Sequence, residues 1–91
     1  MKYSSSFLKQ AHRDSIDHEY KIRNSKTCGC FYCKRIYPPE QITEWIDEPA
    51  PREKTAVCPF CSIDSVLPDS YPIEDPDFIK EMHYHWFQAG T

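Results

Sequence analysis

Two Cys-x-x-Cys turns, Cys30-Phe31-Tyr32-Cys33 and Cys58-Pro59-Phe60-Cys61, stand 24 residues apart in a chain of 91. Two cysteines separated by two residues can reach one ion from a single turn, whose backbone N–H groups point at the sulfurs and offset their charge. Two such turns supply four thiolates, the tetrahedral shell that zinc takes in structural sites at about 2.3 Å. The expectation is one structural zinc ion held by Cys30, Cys33, Cys58 and Cys61. The intervening gap is somewhat longer than the usual ribbon spacing. It suits a strand, a loop containing Pro38-Pro39 and a return strand. Lys34-Arg35, directly after the first turn, is placed to balance the charge of four thiolates around a divalent ion.

Other uses of these cysteines make different demands. A redox-active Cys-x-x-Cys needs a thioredoxin-like strand-to-helix setting and no second pair. Disulfides need an oxidising compartment. Iron also accepts four thiolates, but zinc is the default for a closed structural site. The fifth cysteine, Cys28, puts another sulfur near the ion in Cys28-Gly29-Cys30. Its pairing with Cys33 is looser than that of Cys30, so it reads as a buried or spare thiol rather than a sensor or nucleophile.

A chain this short buries a modest fraction of its surface and is marginal without a staple. Hydrophobic residues make up 40% and aromatic residues 14%, enough for a core and too much for a disordered tail. One domain spanning 1–91 is expected, with zinc supplying much of its folding energy. The start, Met1-Lys2-Tyr3-Ser4-Ser5-Ser6, has no apolar run resembling a signal peptide, and no stretch approaches the length of a membrane span. These features predict a cytoplasmic protein.

Along the chain, Ser4–Ser6 offer an N-cap, and Leu8, Ala11, Ser15, His18 and Ile22 recur on one face, predicting a helix over 5–23. The zinc module follows over 28–67. It has a short strand near Lys34 to Tyr37, an ambiguous Gln41 to Ile46, a Pro49-Ala50-Pro51 loop and a strand over Lys54 to Val57. Asp75 then caps a helix over 76–88 with Pro76 at its first position. Phe78, Ile79, Met82 and Trp86 form its apolar face, and Gly90 lies just beyond. The fold class predicted is a small α+β zinc-bound domain, with zinc-ribbon or treble-clef-like hairpins flanked by N- and C-terminal helices.

The segments Cys28-Gly29-Cys30-Phe31-Tyr32-Cys33, Thr55-Ala56-Val57-Cys58-Pro59-Phe60-Cys61 and Ile63-Asp64-Ser65-Val66, with Ile42…Trp45-Ile46-Asp47 between, resemble a set of small bacterial proteins labelled only as cytoplasmic or hypothetical. The resemblance runs from about His18 to Phe87. It implies a cytoplasmic zinc protein and no particular activity. Ser62 departs from the glycine expected after the second turn, where the backbone favours a left-handed conformation.

Charge divides unevenly. Residues 1–35 hold eight Lys/Arg against three acids, +5, and residues 36–91 hold three against eleven, −8, giving −3 overall. Self-complementation between the halves is the preferred reading, because a pI of 5.7 is far from that of a nucleic-acid module. The leading functional expectation is a non-enzymatic binding or adaptor protein for a protein partner, with Tyr84 and Phe87 as a contact patch or as further core. Next comes nucleic-acid binding through Lys21, Arg23, Lys26, Lys34 and Arg35 in segment 21–35, beside Tyr32. A hydrolase or nuclease ranks third, because four cysteines leave zinc no open position. The histidine pairs also lack ligand spacing: His83 and His85 point to opposite helix faces, and His12 and His18 are six apart. His18 beside Glu19 reads as a packed histidine before a general base, and Asp64-Ser65 as a cap or a tie to the metal loop. With only Gly29 and Gly90, the chain has no glycine-rich phosphate loop.

Overall fold

The computed structural model describes residues 2–88. The helix-stop role read for Gly90 falls outside the described residues. Two helices, α1 (Ser5–Arg13) and α2 (Glu19–Arg23), lead into β1 (Cys28–Cys30) and β2 (Ile36–Tyr37). A 3-10 turn (Pro39–Gln41), β3 (Trp45–Ile46), β4 (Thr55–Ala56) and β5 (Val66–Pro68) follow, then α3 (Pro76–His83) and a π-helical turn (Tyr84–Gln88). The strands form two antiparallel sheets, β2-β1-β5 and β3-β4.

The three-stranded sheet separates two cores, and the two-residue period of a strand decides which side chain enters which. From β1, Cys28 and Cys30 point to one face; from β5, Val66 joins them while Leu67 points to the other. Gly29, between the two cysteines, faces Ile73 so closely that a Cβ there would lie 3.2 Å from the Ile73 Cβ. Glycine is what lets the segment before α3 close on the sheet. The Leu67 face is covered by α1 and α3 through Leu8, Ala11, Phe78, Ile79 and Met82. On the opposite face, Ile22 of α2 and Ala56 of β4 cover the cysteines.

The N-terminal helix is not continuous over 5–23. It ends at Arg13, and the Ser15 hydroxyl turns back to the His12 carbonyl at 2.6 Å. Asp17 is left-handed (φ 54°), its N–H donating to Thr55 Oγ1 at 2.9 Å, and the His18 N–H donates to the Lys54 carbonyl at 3.2 Å. Over Asp14 to His18 the backbone therefore exchanges helical bonds for bonds to the hairpin, and α2 restarts in a new direction. The apolar stripe survives the break, with Leu8, Ala11, Ser15, His18 and Ile22 all at or below 3% exposure. Within 41–46, the ambiguous stretch resolves as the end of the 3-10 turn followed by β3.

Asp75 caps α3, accepting the Asp77 N–H at 2.9 Å, with Pro76 at the first helical position. The same carboxylate receives Lys2 Nζ at 2.7 Å and the Tyr3 hydroxyl at 2.5 Å, which ties the basic N-terminus to the acidic second half. These donors hold its pKa down at about 2, with the Lys2 bond the first cause. Because the folded value lies below the unfolded one, the contribution is complete above about pH 4 and is lost as pH falls towards 2. Replacing Asp75 with Ala should lower the melting temperature at neutral pH by removing cap and charge together. Asp75→Asn, which keeps a capping oxygen, should fall between Ala and wild type in the same thermal melts.

The helical run continues past His83 as a π turn. Tyr84 is exposed, but Phe87 packs against the core with its ring 5.7 Å from Phe31 and 4.8 Å from Tyr32. The contact patch read from the sequence therefore divides: Phe87 packs inward and Tyr84 stays outside. Among the described residues, no helix is long and apolar enough to cross a membrane.

Candidate metal centre

The two Cys-x-x-Cys turns are built by one backbone recipe. In the first, the Cys30 N–H donates to the Arg35 carbonyl at 3.0 Å and the Lys34 N–H to the Cys30 carbonyl at 2.8 Å. In the second, the Cys58 N–H donates to the Ile63 carbonyl and the Ser62 N–H to the Cys58 carbonyl, both at 3.0 Å. Each knuckle closes with a left-handed residue just after its second cysteine, Lys34 at φ 67° and Ser62 at φ 66°. Neither is glycine. Both non-glycine residues carry the cost of that conformation, which the knuckle's own hydrogen bonds impose.

The same recipe aims backbone donors at the sulfurs. The N–H groups of Tyr32 and Cys33 favour the charged form of Cys30, and that of Arg35 favours the charged form of Cys33. In the second knuckle, the Phe60 N–H donates to Cys58 Sγ at 3.5 Å, and the N–H groups of Cys61 and Ile63 favour the charged forms of Cys58 and Cys61. These backbone groups offset thiolate charge from within the turns, the role expected of the cations Lys34 and Arg35. Arg35 instead lies over the Phe60 ring at 4.8 Å.

Packing of β1 against β5 and of α2 against β4 brings the knuckles face to face. Cys30 Sγ lies 3.6 Å from Cys61 Sγ, Cys33 Sγ lies 3.7 Å from Cys58 Sγ, and all four sulfurs fall within 4.8 Å of one another. A tetrahedral ion with bonds of about 2.3 Å keeps its sulfurs roughly 3.8 Å apart, so the set fits such an ion. A disulfide needs about 2.05 Å, and all five cysteines are free thiols. Cys30 and Cys58 are buried, while Cys33 and Cys61 are partly open to solvent.

Burial pushes the Cys30 and Cys33 thiols up to about 11. At Cys58 burial is outweighed by the Tyr37 hydroxyl and the Phe60 and Cys61 N–H groups, which bring it down to about 7. A bound cation removes such protons outright. These four cysteines are the one cluster among the described residues with metal-binding geometry.

Cys28 stands outside the cluster. Fully buried, with its pKa raised to about 12 chiefly by burial, it acts as a thiol donor to the Tyr37 carbonyl at 3.4 Å. Ser65 shows what sequence reasoning saw only in outline. Its carbonyl accepts the Phe31 N–H of the first knuckle at 3.1 Å, and its hydroxyl lies 3.1 Å from Cys30 Sγ.

Of the candidates for chemistry, His18 is 2% exposed and spans two backbones: Nδ1 meets the Asp14 carbonyl at 2.9 Å, and Nε2 accepts the Ala56 N–H at 3.1 Å. Asp64 is exposed, and His83 meets the Phe31 carbonyl at 3.1 Å. His12 stacks on Trp86 with centroids 3.9 Å apart. The basic segment is partly engaged, since Arg23 pairs with Glu19 at 2.8 Å and lies over the Trp45 ring at 4.4 Å.

Comparison with protein-family models, curated proteins and solved structures finds no match to this chain.

Proposed function

We infer that this chain is a cytoplasmic, zinc-stabilised binding module that recognises a protein partner and is not an enzyme. The observation carrying this reading is the closed set of four sulfurs, because a catalytic zinc keeps a coordination position open and a structural one does not. Zinc is favoured over iron as the default ion of a closed structural thiolate site. Both Cys-x-x-Cys turns link one short strand to the next, which supports a zinc-ribbon-like description over a treble clef.

The surface for a partner follows from the same repetition. Tyr32 and Phe60 occupy equivalent places in the two knuckles, two residues after the first cysteine, and are 43% and 49% exposed. Aromatic rings held on rigid turns lose little entropy on binding and are typical anchors of protein interfaces. In the double variant Tyr32→Ala/Phe60→Ala, metal content and far-UV spectrum should stay as in wild type. A protein cross-linked to the wild-type chain in lysate of the native host should no longer be captured. Equal capture by wild type and variant would remove the knuckle tips from the reading.

Nucleic-acid binding is the second reading, and Lys34 and Arg35 beside those rings favour it, since single strands bind through stacked bases and nearby cations. Lys21, Arg23 and Lys26 would extend the basic surface. Retention on DNA or RNA at low salt, falling steeply as salt rises, would put this reading first. No retention at low salt removes it.

A further inference from the structure

Tyr37 stands seven residues after Cys30, and Ser65 stands seven residues after Cys58. Each lies on the chain leaving its own knuckle and carries a buried hydroxyl in the neighbourhood of the first sulfur of the other knuckle. Ser65 Oγ lies 3.1 Å from Cys30 Sγ, and the Tyr37 hydroxyl lies near enough to Cys58 to lower its pKa without forming an aligned hydrogen bond to it. Both residues are 3% exposed. The buried Tyr37 hydroxyl makes no hydrogen bond to any of the described residues. A buried hydroxyl without an acceptor is costly, and a thiol sulfur is a weak one. A thiolate accepts strongly, so one enclosed hydroxyl on a sulfur and another beside a sulfur but unpaired suit sulfurs that carry charge.

The backbone fixes both donors against β1. The Ser65 carbonyl accepts the Phe31 N–H, and Tyr37 is opposite Cys28 in the β1–β2 ladder, where the Cys28 thiol donates to its carbonyl. Cys28 thus acquires a role without touching the ion, by holding the strand that carries Tyr37.

We propose that Ser65 and Tyr37 are positioning residues of the metal centre, a crossed pair whose hydroxyls hydrogen-bond the deep sulfur of the opposite knuckle and slow release of the metal. The inference rests on the zinc reading above. Without its hydroxyl, a deep sulfur loses part of the donor set that disperses its charge, and both protons and chelators compete for it more effectively.

The test uses Ser65→Ala and Tyr37→Phe, which keep most of the side-chain volume. Three readouts are zinc per chain after purification, the rate of zinc transfer to a chromogenic chelator, and the thiolate-to-metal charge-transfer band after cobalt substitution. Both variants should bind metal at wild-type stoichiometry and release it faster, by roughly tenfold to a hundredfold, the usual effect of removing an outer partner of a ligand. The cobalt band should move to lower energy, because a sulfur lone pair without its hydrogen bond lies higher. Ser65→Thr, which restores a hydroxyl, should return both readouts towards wild type. Metal-bound variants with wild-type rates and bands overturn the proposal and leave the zinc reading standing. Faster release with an unmoved band, a packing effect, also overturns it. A folded wild-type chain that binds no metal removes the zinc reading itself.

Discussion

Serine in place of Cys58 should yield a chain that no longer holds metal and has lost most of its far-UV signal. The size of the effect follows from two magnitudes. Structural zinc contributes about 10–16 kcal/mol to folding of small modules at neutral pH, while the whole net stability of a domain is about 5–15 kcal/mol. Cys58 is 1% exposed and belongs to the core beneath the sheet, together with Cys28, Cys30, Ala56 and Val66. That core is small, and few large apolar side chains remain to hold it once the sulfurs repel or take up protons. Metal analysis and circular dichroism of the purified variant read the result. Cys28→Ser is the internal control: its sulfur lies outside the cluster, so metal content should remain that of wild type with only modest loss of stability. A Cys58→Ser protein that stays fully folded, or one that keeps its zinc, would end the case for a structural metal. A Cys28→Ser protein that loses its zinc would instead overturn the placing of Cys28 outside the ligand set.

The four-cysteine cluster was legible because the Cys-x-x-Cys spacing is a local signal, and a second pair elsewhere points to the same site. α3 was legible for a similar reason, since Asp75-Pro76 and the Phe78/Ile79/Met82 face act over a single helix. What the sequence concealed depends on contacts between distant segments. The break after Arg13 is set by Lys54 and Thr55 taking the backbone bonds of His18 and Asp17, and nothing in residues 14–18 alone announces it. The stripe from Leu8 to Ile22 survives because burial constrains which side chains face inward and not whether the helix between them is continuous. Ser62 shows a local preference yielding to a motif: serine disfavours a left-handed backbone, yet the paired N–H bonds of the knuckle hold it there. The hydroxyl partners had a signal that passed unread, the equal seven-residue offsets of Tyr37 and Ser65 from the first cysteine of each knuckle. That offset acquires meaning only once the knuckles are seen to face each other.

His18→Ala should cost about 3–5 kcal/mol, the second largest loss of any single change considered, and wild type should be the more acid-sensitive of the two proteins. The Asp14 carbonyl can only accept, so the imidazole must carry its proton on Nδ1; Nε2 is then the lone pair that receives the Ala56 N–H. The ring joins the end of α1 to β4, two residues before Cys58, across the break that separates α1 from α2. Alanine leaves a void in a site 2% exposed and strands two backbone groups, each costing about 1–3 kcal/mol when buried without a partner. Burial pushes the His18 pKa below its ordinary value of 6.5, against the opposing pull of the Asp14 carbonyl and nearby acids. Because the folded value is the lower one, the neutral ring's contribution is complete above about pH 6.5 and is lost as pH falls through the folded pKa. Protonation would place a second N–H against that of Ala56. The sulfurs also take up protons in acid, so the informative quantity is the difference between wild type and variant in denaturant melts on either side of about pH 6.5. That difference should shrink as pH falls. His18→Gln offers an amide oxygen to Ala56 and cannot be protonated, so it should lose less stability than alanine and show a flatter pH dependence than wild type. A gap between wild type and His18→Ala that stays constant across that range would mean the imidazole is not held neutral, and would displace His18 from its bridging role.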